Sequence, residues 1–235
     1  MWDILPPGGT WDVTIRADAP ALLLGPEPFA LLLASVFIII LLARPALARI
    51  GFTRGEALLV FAAAPLLAGT EIGFARIGDA YLAMNVAGCV IPLVIGLKVM
   101  IAGRAPAMRA LLAIVVVGGV SYLSSYAIPS EGVLLYYRVP AIVAGLAGIV
   151  LSLRKPSNGG PLAFTAGAWG VFLGADGLHL SELLYDGTPH RIVLGGAGVL
   201  DGIFIVAVLA VLLPAIAVAG ARFARTVSGR DASGT

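Results

Sequence analysis

Hydrophobic residues in this chain fall into long runs separated by short polar segments. A helix that crosses a bilayer needs about 20 mostly apolar residues. Seven runs approach that length, at residues 28–44, 56–70, 80–100, 109–128, 132–153, 160–180 and 192–220. The second run is short and contains Pro65, and the last begins with a glycine-rich stretch. The pattern predicts an all-α, polytopic membrane protein with about seven transmembrane helices.

The composition narrows the class of protein in the same direction. Of 235 residues, 60% are hydrophobic and only 12% are charged, whereas roughly a quarter of a soluble domain is charged. These values exclude a soluble enzyme, a nucleic-acid-binding protein and a disordered chain, and they make the lipid bilayer the expected partner. The formal charge of +2 is too small to indicate an anionic partner, and the single cysteine, Cys89, forbids an intrachain disulfide.

The positions of lysine and arginine predict the orientation, because cytoplasmic loops collect these residues. Eleven lie in one set of loops and four, at Arg16, Arg76, Arg138 and Arg191, lie in the opposite set. This bias predicts a multi-pass protein of the cell (inner) membrane with its N-terminus outside and its C-terminus in the cytoplasm. Three segments follow: an outer N-terminal arm at 1–27, a single transmembrane domain at 28–222 and a disordered cytoplasmic tail at 223–235.

Two acidic residues, Asp176 and Asp201, fall inside predicted spans. An ionisable group within a membrane is costly, so it indicates a functional site by default. At 1.5 Å per residue, Asp176 lies about 24 Å along the outward-running sixth span and Asp201 about 15 Å into the inward-running seventh. Both are therefore expected in the outer half of the bilayer, on neighbouring antiparallel helices, where they can face each other. A purely structural alternative is a backbone hydrogen bond or a salt bridge to Arg138.

The sixth span has two distinct faces. Its glycines recur at steps of three and four, and such a stripe lets another backbone approach closely. We therefore predict a helix-packing role for Gly170 and Gly174, and also for Gly198, which lies one turn before Asp201. The members of the stripe are Gly167, Gly170, Gly174 and Gly177. The members of the opposite face are Thr165, Trp169, Phe172, Asp176 and His179.

Other polar side chains are expected at a similar outer depth, where they would bind substrate or relay protons. These candidates are Glu71, Asn85, Arg138 and His179. Asp176 and His179 are three residues apart and so lie together on one helix. A metal site built from Asp176, His179, Asp201 and Glu71 stays an alternative, but it needs three or four converging ligands, and we predict neither a metal nor another cofactor.

Three segments resemble a known family. The stretch Gly174-Ala175-Asp176, followed by His179-Leu180, and the block from Gly195 to Phe204 (Gly-Gly-Ala-Gly-Val-Leu-Asp-Gly-Ile-Phe) resemble the paired signature of the DUF1614 membrane proteins. Residues 84–93 are similar to that family's Asn-Val-Gly-Gly-x-x-Ile-Pro segment, with Ala87 in place of a usual glycine. The resemblance covers roughly residues 45–215. It implies a membrane fold and a site at these motifs, and no particular activity.

The acid pair fits more than one function. Acids beside glycine-interrupted helices are typical of proton- or cation-coupled transport, which we predict first. The alternative is an intramembrane aspartyl hydrolase, in which two carboxylates share a proton. Its resemblance to Gly-x-Gly-Asp membrane proteases is incomplete, because Asp201 stands three residues after Gly198 instead of directly after a glycine. A third alternative is a non-catalytic subunit or assembly factor of a membrane complex. A homo-oligomer and a complex partner both stay open.

Overall fold

The computed structural model of the protein describes residues 15–17, 51–78, 80–128, 132–184 and 190–231. These residues are mostly helical, as predicted, but they also contain six β-strands, so the all-α prediction is wrong in part. The first predicted span, 28–44, lies outside the described residues. So does most of the predicted N-terminal arm, of which only Ile15–Ala17 is described.

The helices and strands are as follows. The α-helices are α1 (Arg54–Leu58), α2 (Ala64–Leu66), α3 (Ile91–Ile101), α4 (Ala107–Leu123), α5 (Arg138–Leu151), α6 (Gly159–Val171), α7 (Leu178–Leu184), α8 (Gly202–Ala210) and α9 (Leu212–Asp231). The strands are β1 (Ile15–Ala17), β2 (Thr70–Ile77), β3 (Ala80–Asn85), β4 (Ser125–Ile128), β5 (Gly132–Leu135) and β6 (His190–Leu194). The structure also contains three π-helical turns. Leu59–Ala63 joins α1 to α2, Val86–Val90 directly precedes α3, and Phe172–Gly177 joins α6 to α7.

Helix α6 forms the centre of the helical part. All of its residues except Trp169 are buried, and it packs against α3, α4, α5 and α8. Glycine and alanine make up much of its sequence, so four helices can approach it at once. Helix α6, the π-turn Phe172–Gly177 and α7 follow one another without a break, and together they cover the predicted span 160–180.

A four-stranded sheet lies at one end of the helices. Its strand order is β1-β2-β3-β6, in which β1 and β3 flank β2 in antiparallel fashion and β6 is parallel to β3. The parallel register aligns Ala80 with His190 and Met84 with Leu194. Strands β4 and β5 form a separate antiparallel hairpin. The chain therefore leaves two neighbouring parallel strands, β3 and β6, in the same direction, and each is followed by a helix.

Several predicted spans are helical only in part, which corrects the sequence-based boundaries. The spans 80–100 and 192–220 start as β3 and β6 and become α-helical or π-helical only from Val86 and Gly202. The span 56–70 is helical only as far as Leu66 and enters β2 at Thr70. A short apolar run fits a buried strand as well as a helix. Hydrogen bonding to strands that are distant in the chain determines whether such a run is a strand or a helix. The hydropathy of the run contains no information about that pairing.

The C-terminal helix also departs from the prediction. Helix α9 runs on to Asp231, into the segment 223–235 for which the sequence predicts a disordered tail. Alanine and arginine in residues 221–225 are good helix formers, so a helix begun in the apolar stretch continues into the polar one. Residues 232–235 lie outside the described part of the chain.

Helices α4 and α5 expose many large apolar side chains, and α5 buries only proline and small residues. The buried residues of α5 are Pro140, Ala141, Ala144, Gly145 and Gly148. Its exposed large residues are Val139, Ile142, Leu146 and Val150. Helix α4 buries Ile114 and Val117, but its exposed face also carries large apolar residues, namely Met108, Leu111, Leu112, Val115 and Val116. A helix of a soluble protein turns its large apolar residues inward, so this distribution is the reverse of the usual one.

Among the described residues, one helical stretch is long and apolar enough to cross a membrane, namely Gly202–Ala221. Three shorter apolar helical stretches, Val86–Ile101, Ala107–Leu123 and Arg138–Leu151, fall below that length.

A buried ion pair fixes the start of α1 to the turn between α3 and α4. Thr53 and Glu56 form a capping box, in which the Thr53 hydroxyl accepts from the Glu56 N–H and the Glu56 carboxylate accepts from the Thr53 N–H. The same carboxylate, which is fully buried, also accepts two hydrogen bonds from the Arg104 guanidinium. This hydrogen bonding to Glu56 raises the pKa of Arg104 above its ordinary value. The arrangement ties together segments almost fifty residues apart.

Candidate functional site

The two predicted aspartates lie on different elements and line the same cavity. Asp176 belongs to the π-turn Phe172–Gly177, and Asp201 immediately precedes α8. The cavity has a volume of about 310 Å³, and both side chains contribute to its wall. The structure thus brings together the pair that the sequence placed on neighbouring helices.

Asp201 also has a structural role as the N-cap of α8. Its backbone is extended, with φ −69° and ψ 149°, and its Oδ1 atom accepts a hydrogen bond from the Ile203 N–H at 2.9 Å. An N-terminal helix turn has unpaired N–H groups, and an aspartate in this position satisfies one of them. The helix break before Gly202 therefore holds the carboxylate at the cavity wall.

Asp176 differs from Asp201 because one of its oxygens has no partner. Its Oδ2 atom is buried and accepts no hydrogen bond from any described residue. Buried polar atoms are almost always paired, so an unpaired one calls for an explanation. A π-helical turn inside an α-helix is itself frequent at functional sites. These two observations make Asp176 the most unusual acidic side chain in the described part of the chain.

A glycine-rich loop between β6 and α8 forms the floor of the cavity. Gly195 and Gly198 have positive φ angles of 72° and 62°, a conformation that other residues adopt only with strain. A Cβ atom on Gly88 would overlap the carbonyl oxygen of Gly195 and lie 2.7 Å from that of Gly198. The start of the helix after β3 therefore packs directly on this loop. The two motifs that the sequence singled out, around Asn85 and around Asp201, are in contact.

Asn85 stabilises the packing of Gly88 on the glycine-rich loop through two hydrogen bonds. Its Oδ1 atom accepts from the Gly88 N–H at 2.9 Å, and its Nδ2 donates to the Ala68 carbonyl at 2.6 Å. The residue is buried. A Cβ atom on Gly198 would lie 3.1 Å from the Ala68 carbonyl oxygen, so the loop also packs on the end of the preceding helix. Asn85 thus acts as a helix cap and a link between segments.

Glu71 lies beside Asn85, and its partner is Arg191. Glu71 is opposite Asn85 in the β2–β3 register, and its carboxylate forms an ion pair with the Arg191 guanidinium. Arg191 also lies over the Tyr81 ring, with 5.8 Å between the guanidinium carbon and the ring centroid. Arg191 lines the cavity together with both aspartates. The sequence-based reasoning missed this residue because it read residue 191 as part of an outer loop.

Arg138 does not form the salt bridge to the aspartates that the sequence suggested as an alternative. It is exposed at the start of α5, and no ion pair between it and either aspartate occurs among the described residues. The arginine near the acid pair is Arg191. A signal for it exists in the sequence, since residues 190–194 form a short run rich in β-branched residues that also suits a strand.

His179 lies near Asp176 in the chain but packs in another direction. Its ring stacks on Tyr122 of α4, with 4.9 Å between the ring centroids. Its Nδ1 atom lies 3.1 Å from the Glu182 carboxylate, and its Nε2 atom is buried without a hydrogen-bond partner in the described structure. His179 is not part of the cavity wall. Within the described residues, no group of three or more His, Cys, Asp or Glu side chains is arranged to hold a metal ion.

The predicted glycine stripe meets neighbouring backbones at three of its four positions. Gly170 and Gly174 face Val117 and Gly118 of α4, and Gly167 faces Ala207 of α8. Gly177 contacts only its own helical segment at this distance. The close approach of α4 and α8 fixes the π-turn from which Asp176 reaches the cavity.

Comparison with known proteins identifies the family. No curated protein and no solved structure matches the chain. The family described as "Protein of unknown function (DUF1614)" matches residues 32–213, which include every element of the cavity wall. The match covers well over half of the chain and agrees with the family that the sequence resembles. The protein is therefore a member of the DUF1614 family.

Proposed function

We propose that this protein is a multi-pass membrane protein that translocates protons or small cations through the cavity between Asp176 and Asp201. The observation that carries the proposal is the shared cavity, which is lined by both carboxylates and contains a buried Asp176 oxygen without a partner. Acidic groups at a break in a helix are typical of proton and cation pathways in membranes.

The multi-pass arrangement is supported by the inverted packing of α4 and α5. Their exposed faces carry large apolar residues such as Leu111 and Ile142, while the buried face of α5 consists of proline, alanine and glycine. Contiguous exposed apolar surface on this scale indicates contact with lipid or protein, and small residues between helices are typical of membrane proteins. Seven spans, an outer N-terminus and a location in the inner membrane follow from the charge bias and belong to this proposal.

The proposal favours a cation over an anion for a structural reason. The N-terminus of a helix attracts anions when its N–H groups are unpaired. Both helix starts near the cavity are instead capped by their own side chains, Asn85 to Gly88 and Asp201 to Ile203. Among the described residues, the charged groups of the cavity wall are then two carboxylates and one guanidinium, that of Arg191. This balance favours positive charge in the cavity.

The test is a flux assay on the purified full-length protein in liposomes that contain a pH-sensitive dye. A potassium gradient with valinomycin supplies a membrane potential that drives proton entry. We expect dye acidification with the parent protein and its loss in Asp176→Asn and Asp201→Asn. Glu182→Gln is the matched control, since it removes an exposed carboxylate from the adjoining helix α7. The same assay with sodium or potassium gradients and the corresponding dyes identifies other cations. Equal flux in the parent and both asparagine variants for every cation would refute the proposal.

An aspartyl hydrolase is the second candidate, because the same two carboxylates line one cavity of the size that a water molecule and a peptide bond require. Such chemistry needs one carboxylate to activate water while its partner, protonated, polarises the carbonyl. Incubation with fluorogenic transmembrane peptides tests it: cleavage by the parent protein and none by Asp176→Asn would favour this function. The hydrogen bond from the Ile203 N–H to Asp201 weighs against it, since that oxygen is already occupied.

A further inference from the structure

We infer that Arg191 is the counter-charge of the acid pair and that it exchanges between Glu71 and the two aspartates as the pair gains and loses positive charge. The inference rests on the proposed function for its role in transport. The predicted pairing of Arg191 with Asp176 and Asp201 has a test of its own.

The first support is position. Of the described residues that line the cavity, Arg191 is the only one with a positive charge, and Asp176 and Asp201 are the only ones with a negative charge. Two carboxylates in a shared, partly enclosed space disfavour each other's ionisation, and a nearby cation relieves that cost. The sequence offered Arg138 as one alternative partner of the aspartates, but Arg138 is exposed at the start of α5 and is not among the residues that line the cavity.

The second support is a matched pair of unused hydrogen-bonding atoms. The Nε–H of Arg191 is buried and has no acceptor among the described residues, and Oδ2 of Asp176 is buried and has no donor. One is a donor and the other an acceptor, and both residues line the same cavity. A buried atom without a partner costs free energy, so an arrangement that joins the two groups, directly or through water, recovers it.

The third support is that the contacts of Arg191 with Glu71 and Tyr81 do not involve its Nε–H. The charged and titratable groups that face it are Glu71 from β2, Tyr81 from β3, Asp176 from the π-turn and Asp201 before α8. Its terminal nitrogen pairs with Glu71. A guanidinium has five N–H donors on a planar fork, so the ion pair with Glu71 does not use all the donors of Arg191.

This geometry has a consequence for transport. While the aspartates carry a proton or a bound cation, the pair is neutralised and Arg191 stays with Glu71. When the cation leaves, the exposed negative charge attracts Arg191, which then occupies the cavity. The aspartates therefore bind either a cation or the Arg191 guanidinium, and not both at once. After the cation has left, Arg191 compensates the negative charge of the aspartates.

The test is a set of double-mutant cycles on thermal stability, using the purified full-length protein in detergent at acidic and alkaline pH. The variants are Arg191→Gln, Asp176→Asn and the double variant. We expect Arg191→Gln to lower the melting temperature less in the Asp176→Asn background than in the parent, by at least about 2 °C, with a larger difference at alkaline pH. Arg191→Lys, which keeps the positive charge, serves if Arg191→Gln does not fold. Additivity at both pH values would overturn the inference.

Matched controls separate this coupling from the fixed ion pair and from the proposed function. Arg76→Gln removes an exposed arginine of β2, and we expect it to be additive with Asp176→Asn. A second cycle between Arg191→Gln and Glu71→Gln measures the Glu71 pair alone. Coupling of Arg191 to Asp176 without any cation flux in the parent would refute the proposed function and leave the counter-charge standing. Flux that depends on Asp176 without such coupling would support the proposed function and refute the counter-charge role of Arg191.

Discussion

Gly174 of the π-turn packs directly on the backbone of Gly118 in α4. A Cβ atom built on Gly174 would overlap the Gly118 carbonyl group. A side chain at position 174 must therefore separate the two helical segments, and the π-turn that carries Asp176 would move with them.

We therefore predict that Gly174→Ala destabilises the protein by about 1–3 kcal/mol through overpacking. Gly119→Ala is the control, because the neighbouring glycine of α4 has open space around its Cβ position and gains roughly 0.5–1 kcal/mol of helix stability. Thermal melts in detergent measure both. Equal melting temperatures for Gly174→Ala and the parent would show that the two backbones are not in contact.

Asp201 has two roles that substitution can separate. Asparagine caps a helix about as well as aspartate, whereas alanine does not. We predict that Asp201→Asn keeps the stability of the parent and loses transport, while Asp201→Ala loses transport and also about 1 kcal/mol of stability. Melting curves alongside the liposome assay test this. If Asp201→Asn transports normally, the charge of Asp201 has no part in the function.

Glu56 is expected to contribute to stability and not to transport. Glu56→Gln removes the charge that receives the Arg104 guanidinium and weakens a buried network of hydrogen bonds. We predict a loss of about 1.5–3 kcal/mol, the range for a hydrogen bond to a charged group. Glu182→Gln, at an exposed carboxylate, should melt like the parent. Refolded or detergent-stabilised Glu56→Gln protein should still show cation flux, and a specific loss of flux would assign Glu56 to the pathway.

The proposed orientation predicts the side from which two exposed positions can be labelled. Lys155→Cys should react with a membrane-impermeant maleimide only after the cells are permeabilised, and Glu182→Cys should react in intact spheroplasts. Both are made in a Cys89→Ser background, since Cys89 is the only native cysteine and is buried. The reverse labelling pattern would show that the orientation in the membrane is the opposite of the proposed one.

Much of the site follows from local sequence. Asp176, Asp201, Asn85 and the glycine stripe stand out because charged and small residues are rare in apolar runs, and the structure brings Asp176 and Asp201 to one cavity. Arg191 is different, because the run around it suits a strand but does not indicate that it lies at the cavity of the acid pair. Its position depends on the parallel pairing of β6 with β3, across more than a hundred residues.

The sequence by itself determined the apolar class of the chain, the family and the acid pair, because composition, motif and charge are properties of single residues and short windows. Only the tertiary structure decided that the runs around residues 80–85 and 190–194 are strands instead of helical turns. Each is too short and too apolar for periodicity to distinguish the two states. Their mutual hydrogen bonding makes the strand form favourable, and it also sets the helix breaks, the glycine loop and the place of Arg191 beside the aspartates.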